Sequence, residues 1–257
     1  FTIDGETLAQ AIALPLHLAT LIPMVKKIIE EFRLDGMDDG DIYIMNDPYM
    51  GGTHLPDIAL VMPVFSGGKL IAFSAAMTHH QDIGGMSPGS VPTNATEIFQ
   101  EGIRIPPLKY SSKGIINDTL LKLLKLNVRL PDSFQGDLNA QIAACEIGRR
   151  RLCDLENRYG VETLKSIFSD LLNRSELMTR QAIQTLPDGS HSYVDYLDND
   201  GIDLNTPIKI EVSVLVQGDS VHIDFSGTSQ QVRGPFNLMP SGAYAAAYFA
   251  VHAMTDP

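Results

Sequence analysis

Asp57-Ile58-Ala59-Leu60-Val61-Met62-Pro63-Val64-Phe65-Ser66-Gly67-Gly68-Lys69-Leu70-Ile71-Ala72-Phe73-Ser74-Ala75-Ala76-Met77-Thr78-His79-His80 is two apolar runs joined at a pair of glycines. Ile58 to Phe65 is nearly continuous in apolar residues and has the length of a strand. Leu70 to Met77 returns as a second one, and Gly67-Gly68 suits the tight turn between them. An antiparallel pair joined this way brings its two free ends side by side. His54 and Asp57 immediately precede the first strand, and His79-His80 immediately follow the second. The two polar clusters of the chain therefore converge without any long-range assumption.

Those clusters are Gly51-Gly52-Thr53-His54-Leu55-Pro56-Asp57 and His79-His80-Gln81-Asp82-Ile83-Gly84-Gly85. Neutral imidazole with carboxylate is a ligand set for a divalent cation such as Mn, Zn or Fe. A structural zinc site would use thiolates and close its coordination sphere. Three N/O ligands with a position left for water point to catalysis instead. A single histidine after Gly-Gly-Thr would be read as bonding a turn, but three histidines and two carboxylates at adjoining ends of one hairpin shift the reading to metal. The candidate ligands are His54, Asp57, His80 and His79. Pro56 stiffens the loop so that His54 and Asp57 can face one cation. His79 and His80 are consecutive on an extended segment, so they point to opposite faces and one of them binds. The Gly-rich turn that follows favours His80 as that ligand, leaving His79 for substrate, a ligand residue or the core.

Asp82 is read as a further ligand or as a carboxylate supporting one, and Glu97, with Glu101 beside it, as a general base or a helix-start residue. Glu97, Asp82 and His79 are the candidate catalytic groups. Gly84 to Ser90 has the texture of an anion cradle, but it lacks the lysine and the strand-to-helix setting of a phosphate-binding loop. His17, His191, His222 and His252 are scattered and read as structural. Neither cysteine has a histidine beside it that would make a thiolate nucleophile.

Around the hairpin, Phe1-Thr2-Ile3 reads as a strand entering a turn at Asp4-Gly5. Leu21 to Phe32 has apolar residues at helical spacing, and Asp41 to Met45 is a short strand. Residues 82–107 form a long Gly/Pro/Ser/Thr-rich loop of the functional kind. Asn117 to Leu186 is helical, broken at Pro131 and near Gly160. Ser192 to Leu197 and Ile208 to Phe225 form a meander turning at Gln217-Gly218-Asp219, and Ala243 to Met254 is a helix stopping at Thr255-Asp256-Pro257. The expected class is α+β, with a β-rich N-terminal part carrying the metal-site hairpin (1–115), a central helical region (116–186) and a C-terminal antiparallel β-meander with the start of a helix (187–257).

The 257 residues carry a net charge of −12 with no Lys/Arg-rich run, which disfavours nucleic acid and anionic membrane surfaces as partners. No apolar stretch reaches the ~18 residues a membrane span needs. Cys145 and Cys153, placed on one helix, would stand about 12 Å apart, too far for a disulfide, so a reduced cytoplasmic protein is expected. The ends read as those of a fragment of a longer protein.

Asn46-Asp47-Pro48-Tyr49-Met50-Gly51-Gly52-Thr53-His54-Leu55-Pro56-Asp57, His79 to Gly85, Pro88-Gly89-Ser90 and Ala95 to Gly102 closely resemble the hydantoinase B family. Further matches are Ile105-Pro106-Pro107, Asp132, Gly136-Asp137-Leu138-Asn139-Ala140-Gln141 and Asp224 to Ser229. That family includes the B component of N-methylhydantoinase, one half of 5-oxoprolinase, and subunits of acetone and acetophenone carboxylases. The resemblance implies a mononuclear metal on the positions of His54, Asp57 and one of His79 and His80. It also implies a hetero-oligomer with a hydantoinase A-type partner of kinase-like fold that binds ATP. The activity implied is opening of a cyclic amide of hydantoin or oxoproline type. Carboxylation of a ketone is the alternative within the family, and a non-catalytic assembly role the alternative outside it.

Overall fold

The computed structural model describes residues 1–11, 14 and 17–255. Its centre is a five-stranded antiparallel sheet in the order β3-β2-β1-β4-β5. The strands are β1 (Ile42–Met45), β2 (Asp57–Ser66), β3 (Lys69–His79), β4 (Leu108–Ser112) and β5 (Ile115–Ile116). The quoted stretch forms the β2–β3 hairpin, in register from Ser66 opposite Lys69 down to Asp57 opposite His79.

Both faces of this sheet are covered, which explains why β2 is apolar along its length rather than alternating. On one face, helix α1 (Leu21–Phe32) lays Met24, Val25 and Ile28 against Tyr43, Met45, Ala59, Val61 and Phe73. On the other, α2 (Asp118–Leu126) and α3 (Pro131–Tyr159) bring Leu124, Phe134, Leu138 and Cys145 onto Ile44, Ile58, Leu60 and Met62. Odd-numbered residues of β2 and β3 thus face α1 and even-numbered ones face α3, as the two-residue period of a strand requires. The helical stretch has no separate core on this side, because α3 shares one buried cluster with the hairpin.

The helix breaks fall at Pro131, the first residue of α3, and at Gly160, after which α4 (Val161–Ile183) begins. The later strands β6 (Gly189–Leu197), β7 (Ile208–Gln217) and β8 (Ser220–Asp224) form a three-stranded antiparallel meander, followed by α5 (Pro240–Thr255). The expected end of that helix at Asp256-Pro257 lies outside the described residues. Two local expectations differ. Phe1 to Ile3 is not a strand: the Phe73 amide donates to the Phe1 carbonyl at 2.9 Å, and pairing goes no further along that segment. β4 was not anticipated, yet it completes the sheet by pairing with the free edge of β1.

Leu60 is fully buried where β2 meets α3. Leu60→Ala is expected to cost about 3 kcal/mol, the usual scale for a buried leucine truncation, read as a fall in the urea midpoint without a change in slope.

Candidate functional site

The loop from β1 to β2 is held from below by one buried amide. Asn46 donates from its amide nitrogen to the Leu55 carbonyl at 2.7 Å and the Ile103 carbonyl at 2.9 Å, and its oxygen accepts from the Ile105 amide at 2.7 Å. Asp47 accepts from the Tyr49 amide and from Arg104. A Cβ on Gly52 would stand 2.6 Å from the Asn46 carbonyl, so the chain can pass there only as glycine. The sequence Asn46-Asp47-Pro48…Gly51-Gly52-Thr53 thus builds a fixed ledge that carries His54.

On that ledge His54 Nε2 lies 3.0 Å from Asp57 Oδ2, which also accepts from the Thr53 hydroxyl at 2.6 Å. Asp57 is wholly buried, and its Oδ1 has no hydrogen-bond partner. Burial pushes its carboxyl upward. The hydrogen bond and charge of His54, the Thr53 hydroxyl and the charge of His17 outweigh that and hold it below the ordinary carboxylate range. His79 is the direct cross-strand partner of Asp57, so both side chains leave the same face of the hairpin. Its ring centroid is 5.0 Å from that of His54. His17 approaches the carboxylate as well, with Nδ1 3.9 Å from Asp57 Oδ2 and itself unpartnered. Glu101 completes the surroundings: burial raises its pKa, and the charge of His54 opposes the rise.

His80 takes the opposite face. It is completely buried against Phe134, with ring centroids 4.9 Å apart, and its Nε2 lies 3.0 Å from Gln141 Oε1 on α3. Burial holds its imidazole below the ordinary value, against the hydrogen bond of Gln141 and the charge of Asp137. The expected choice of His80 as the ligand beside His54 and Asp57 therefore gives way to His79, because register, not the following glycine turn, decides which ring faces Asp57.

Two candidate catalytic residues have structural work instead. Asp82 accepts from the backbone amides of Gly84, Gly89 and Arg129 and from the Arg129 guanidinium. Arg129 in turn donates to the carbonyls of Gly84, Gly85 and Ser87, so the pair locks the loop after His80 into shape. Glu97 is exposed and opens the short 3-10 turn Ile98–Gln100, where Gln100 Oε1 accepts from the Glu97 amide at 3.1 Å. Glu101, weighed beside it from sequence, is the carboxylate within reach of His54's charge. His17 and Gln141 escaped sequence reading because nothing in their neighbourhoods marks them; only folding brings them to the hairpin end.

The donor types fit a divalent cation: imidazole nitrogens at His54 and His79, and a buried carboxylate with one oxygen uncommitted. As arranged, His54 is bonded to Asp57, and among the described residues no three His, Cys, Asp or Glu side chains form a ready metal cage.

The family model described as hydantoinase B/oxoprolinase matches residues 1–257. The chain belongs to the hydantoinase B/oxoprolinase family. It is 37% identical over 220 residues to one of the two components of a putative D-/L-hydantoinase from a Pseudomonas species, covering 83% of this chain and 37% of that protein. It is 30% identical to the delta chain of acetophenone carboxylase from Aromatoleum aromaticum, covering 95% of this chain and 36% of that one. The crystal structure of the ATP-dependent caprolactamase from Pseudomonas jessenii superposes with a TM-score of 0.90 at 31% identity, over 98% of this chain and 43% of that one. The chain thus spans less than half the length of each. Members of the family include components of hydantoinases, lactamases and carboxylases, and the α+β architecture described above is the one they share.

The depressed carboxyl of Asp82 makes a signed prediction. Its buried setting works against ionisation, but the Arg129 and Gly84 amides, the Arg129 side chain and the Gly89 amide win and bring it to about 2. A carboxyl lowered from ~3.9 in the unfolded chain adds roughly 2–3 kcal/mol above about pH 4, lost as pH falls toward 2. Asp82→Asn should therefore be clearly less stable than the parent at about pH 6, and the gap should close by about pH 2, as followed by denaturant unfolding.

Proposed function

We propose that this chain supplies the metal-bearing part of an ATP-dependent enzyme that opens a cyclic amide of hydantoin or oxoproline type. The observation that carries this reading is the convergence of His54, Asp57 and His79 at the paired ends of β2 and β3, with one oxygen of the buried Asp57 uncommitted. Those three residues would hold one Mn, Zn or Fe ion. Such an ion polarises a carbonyl or lowers the pKa of a bound water. Asp57 fixes the His54 ring through its hydrogen bond, Thr53 fixes Asp57, and Glu101 stands where a carboxylate can take or give a proton near His54. ATP binds a hydantoinase A-type partner, and the working enzyme is a hetero-oligomer of the two. Both cysteines are free thiols, which suits a reducing cytoplasmic setting. No helix among the described residues is long and apolar enough to cross a membrane.

Carboxylation of a ketone is the second reading, favoured by the relationship to the acetophenone carboxylase chain. The intact protein with its partner should open hydantoin, 5-oxoproline or caprolactam at the expense of ATP. ATP-driven bicarbonate incorporation into a ketone, without lactam opening, would establish the second reading instead. Activity unchanged by removal of every metal and by His54→Ala would leave an assembly role.

About one equivalent of metal per protein chain is expected, read by mass spectrometry of the dialysed protein. His54→Ala, Asp57→Ala and His79→Ala should each lose it, whereas His80→Ala should keep it with affinity lowered about tenfold, the scale of an outer supporting residue. Loss of metal in His80→Ala together with retention in His79→Ala would reverse the assignment.

A further inference from the structure

The stripe of α3 that faces the sheet reads Phe134, Leu138, Gln141, Cys145, and Gln141 is its one strongly polar member. A buried amide is costly unless its hydrogen-bonding groups are met, and here both donors and the acceptor are engaged. Gln141 Nε2 donates to the Ile58 carbonyl at 2.8 Å and to the Ala76 carbonyl at 3.2 Å, while Oε1 lies 3.0 Å from His80 Nε2.

The amide has one tenable orientation. Flipped, its oxygen would face two carbonyl oxygens, and neither contact could be a hydrogen bond. Oε1 therefore accepts, so His80 Nε2 carries the proton. Nδ1 keeps the lone pair, buried, 3.9 Å from the carboxylate of Asp137 one turn earlier on the same helix. The backbone of His80 is tied as well, its amide donating to the Pro56 carbonyl at 2.8 Å. One side chain thus grips β2 beside Asp57, β3 three residues before His79, and the ring immediately after His79.

We propose that Gln141 is a positioning residue: it holds His80 as the Nε2–H tautomer and locks the His79–His80 corner to the Asp57–Ile58 corner, setting the spacing of the donors on the other face of the hairpin. The second half rests on the metal reading given above; the tautomer does not.

The test uses the intact protein labelled with ¹⁵N-histidine, with long-range proton–nitrogen correlation to read the His80 ring and Mn²⁺ alone as the metal probe. The wild-type ring should be protonated at Nε2 and unprotonated at Nδ1 at neutral pH. Gln141→Leu should mix the tautomers and weaken Mn²⁺ about tenfold. Gln141→Glu, which keeps an acceptor for His80 but loses both donors, should keep the tautomer and still weaken Mn²⁺. Leu138→Ala, a neighbouring core truncation, should lower the thermal midpoint while leaving tautomer and Mn²⁺ affinity unchanged. A wild-type His80 protonated at Nδ1 overturns the proposal, as does Gln141→Leu with wild-type Mn²⁺ affinity or Leu138→Ala with an equal loss of it. If the wild type binds no Mn²⁺, the metal reading fails, and the hold of Gln141 on His80 is decided by the nitrogen signals alone.

Discussion

The pairing of Asp57 with His79 across the β2–β3 hairpin is the constraint on which the rest depends. Side chains alternate along a strand, so one cross-strand pair fixes the face of every other residue in both strands. With Asp57 and His79 on the α1 side, Ala59, Val61 and Phe73 must follow them there, and Ile58, Leu60 and Met62 must meet α3. A one-residue slip would turn the apolar set of each face to the other and separate Asp57 from His79. The two packed cores therefore act as a register lock for the site, and the site lies at the hairpin's open end because the glycine turn occupies the other.

The polar residues buried around that end serve mainly as ties between segments distant in sequence. Asn46 joins the loop before β2 to residues 103–105, Asp82 and Arg129 join the loop after β3 to the start of α3, and Gln141 joins α3 to both strands. Each has its hydrogen-bonding capacity largely used, as low-dielectric surroundings demand. Asp57 Oδ1, His17 Nδ1 and His80 Nδ1 differ in having no partner. Unmet buried acceptors of this kind are destabilising by about 1–3 kcal/mol each, so their concentration around one hairpin end marks it as the place where stability yields to function.

The hairpin, the helix after Asp4-Gly5-Glu6, the breaks at Pro131 and Gly160 and the late meander were legible in the sequence because each is written in local signals: apolar runs, glycine and proline, and periodicity. Convergence of His54, Asp57 and the histidine pair was legible for the same reason, since a hairpin is a local structure. Which histidine faces Asp57 depends on strand register to the residue, and composition does not encode that. Asp82 and Glu97 looked catalytic because a carboxylate's type is visible in sequence but its partners are not. Asp82 is consumed by backbone amides and Arg129, 47 positions away. β4 was hidden in a loop-like stretch because its partner, the edge of β1, lies more than sixty residues earlier.

The late part of the chain also reaches the site. Ser241, at the start of α5, donates to the Gly52 carbonyl at 2.9 Å across 189 residues, and the bond is buried. Gly52 is the residue whose missing Cβ lets the ledge pass Asn46. The ledge that carries His54 is thus held from both sides: from within the first sheet by Asn46, and from the C-terminal helix by Ser241. A metal ligand on a loop is only as well placed as that loop, and preorganisation of this kind is what keeps donor atoms at fixed spacing. The meander between α4 and α5 then has a structural consequence beyond its own strands, because the path it sets brings the start of α5 back to the His54 ledge.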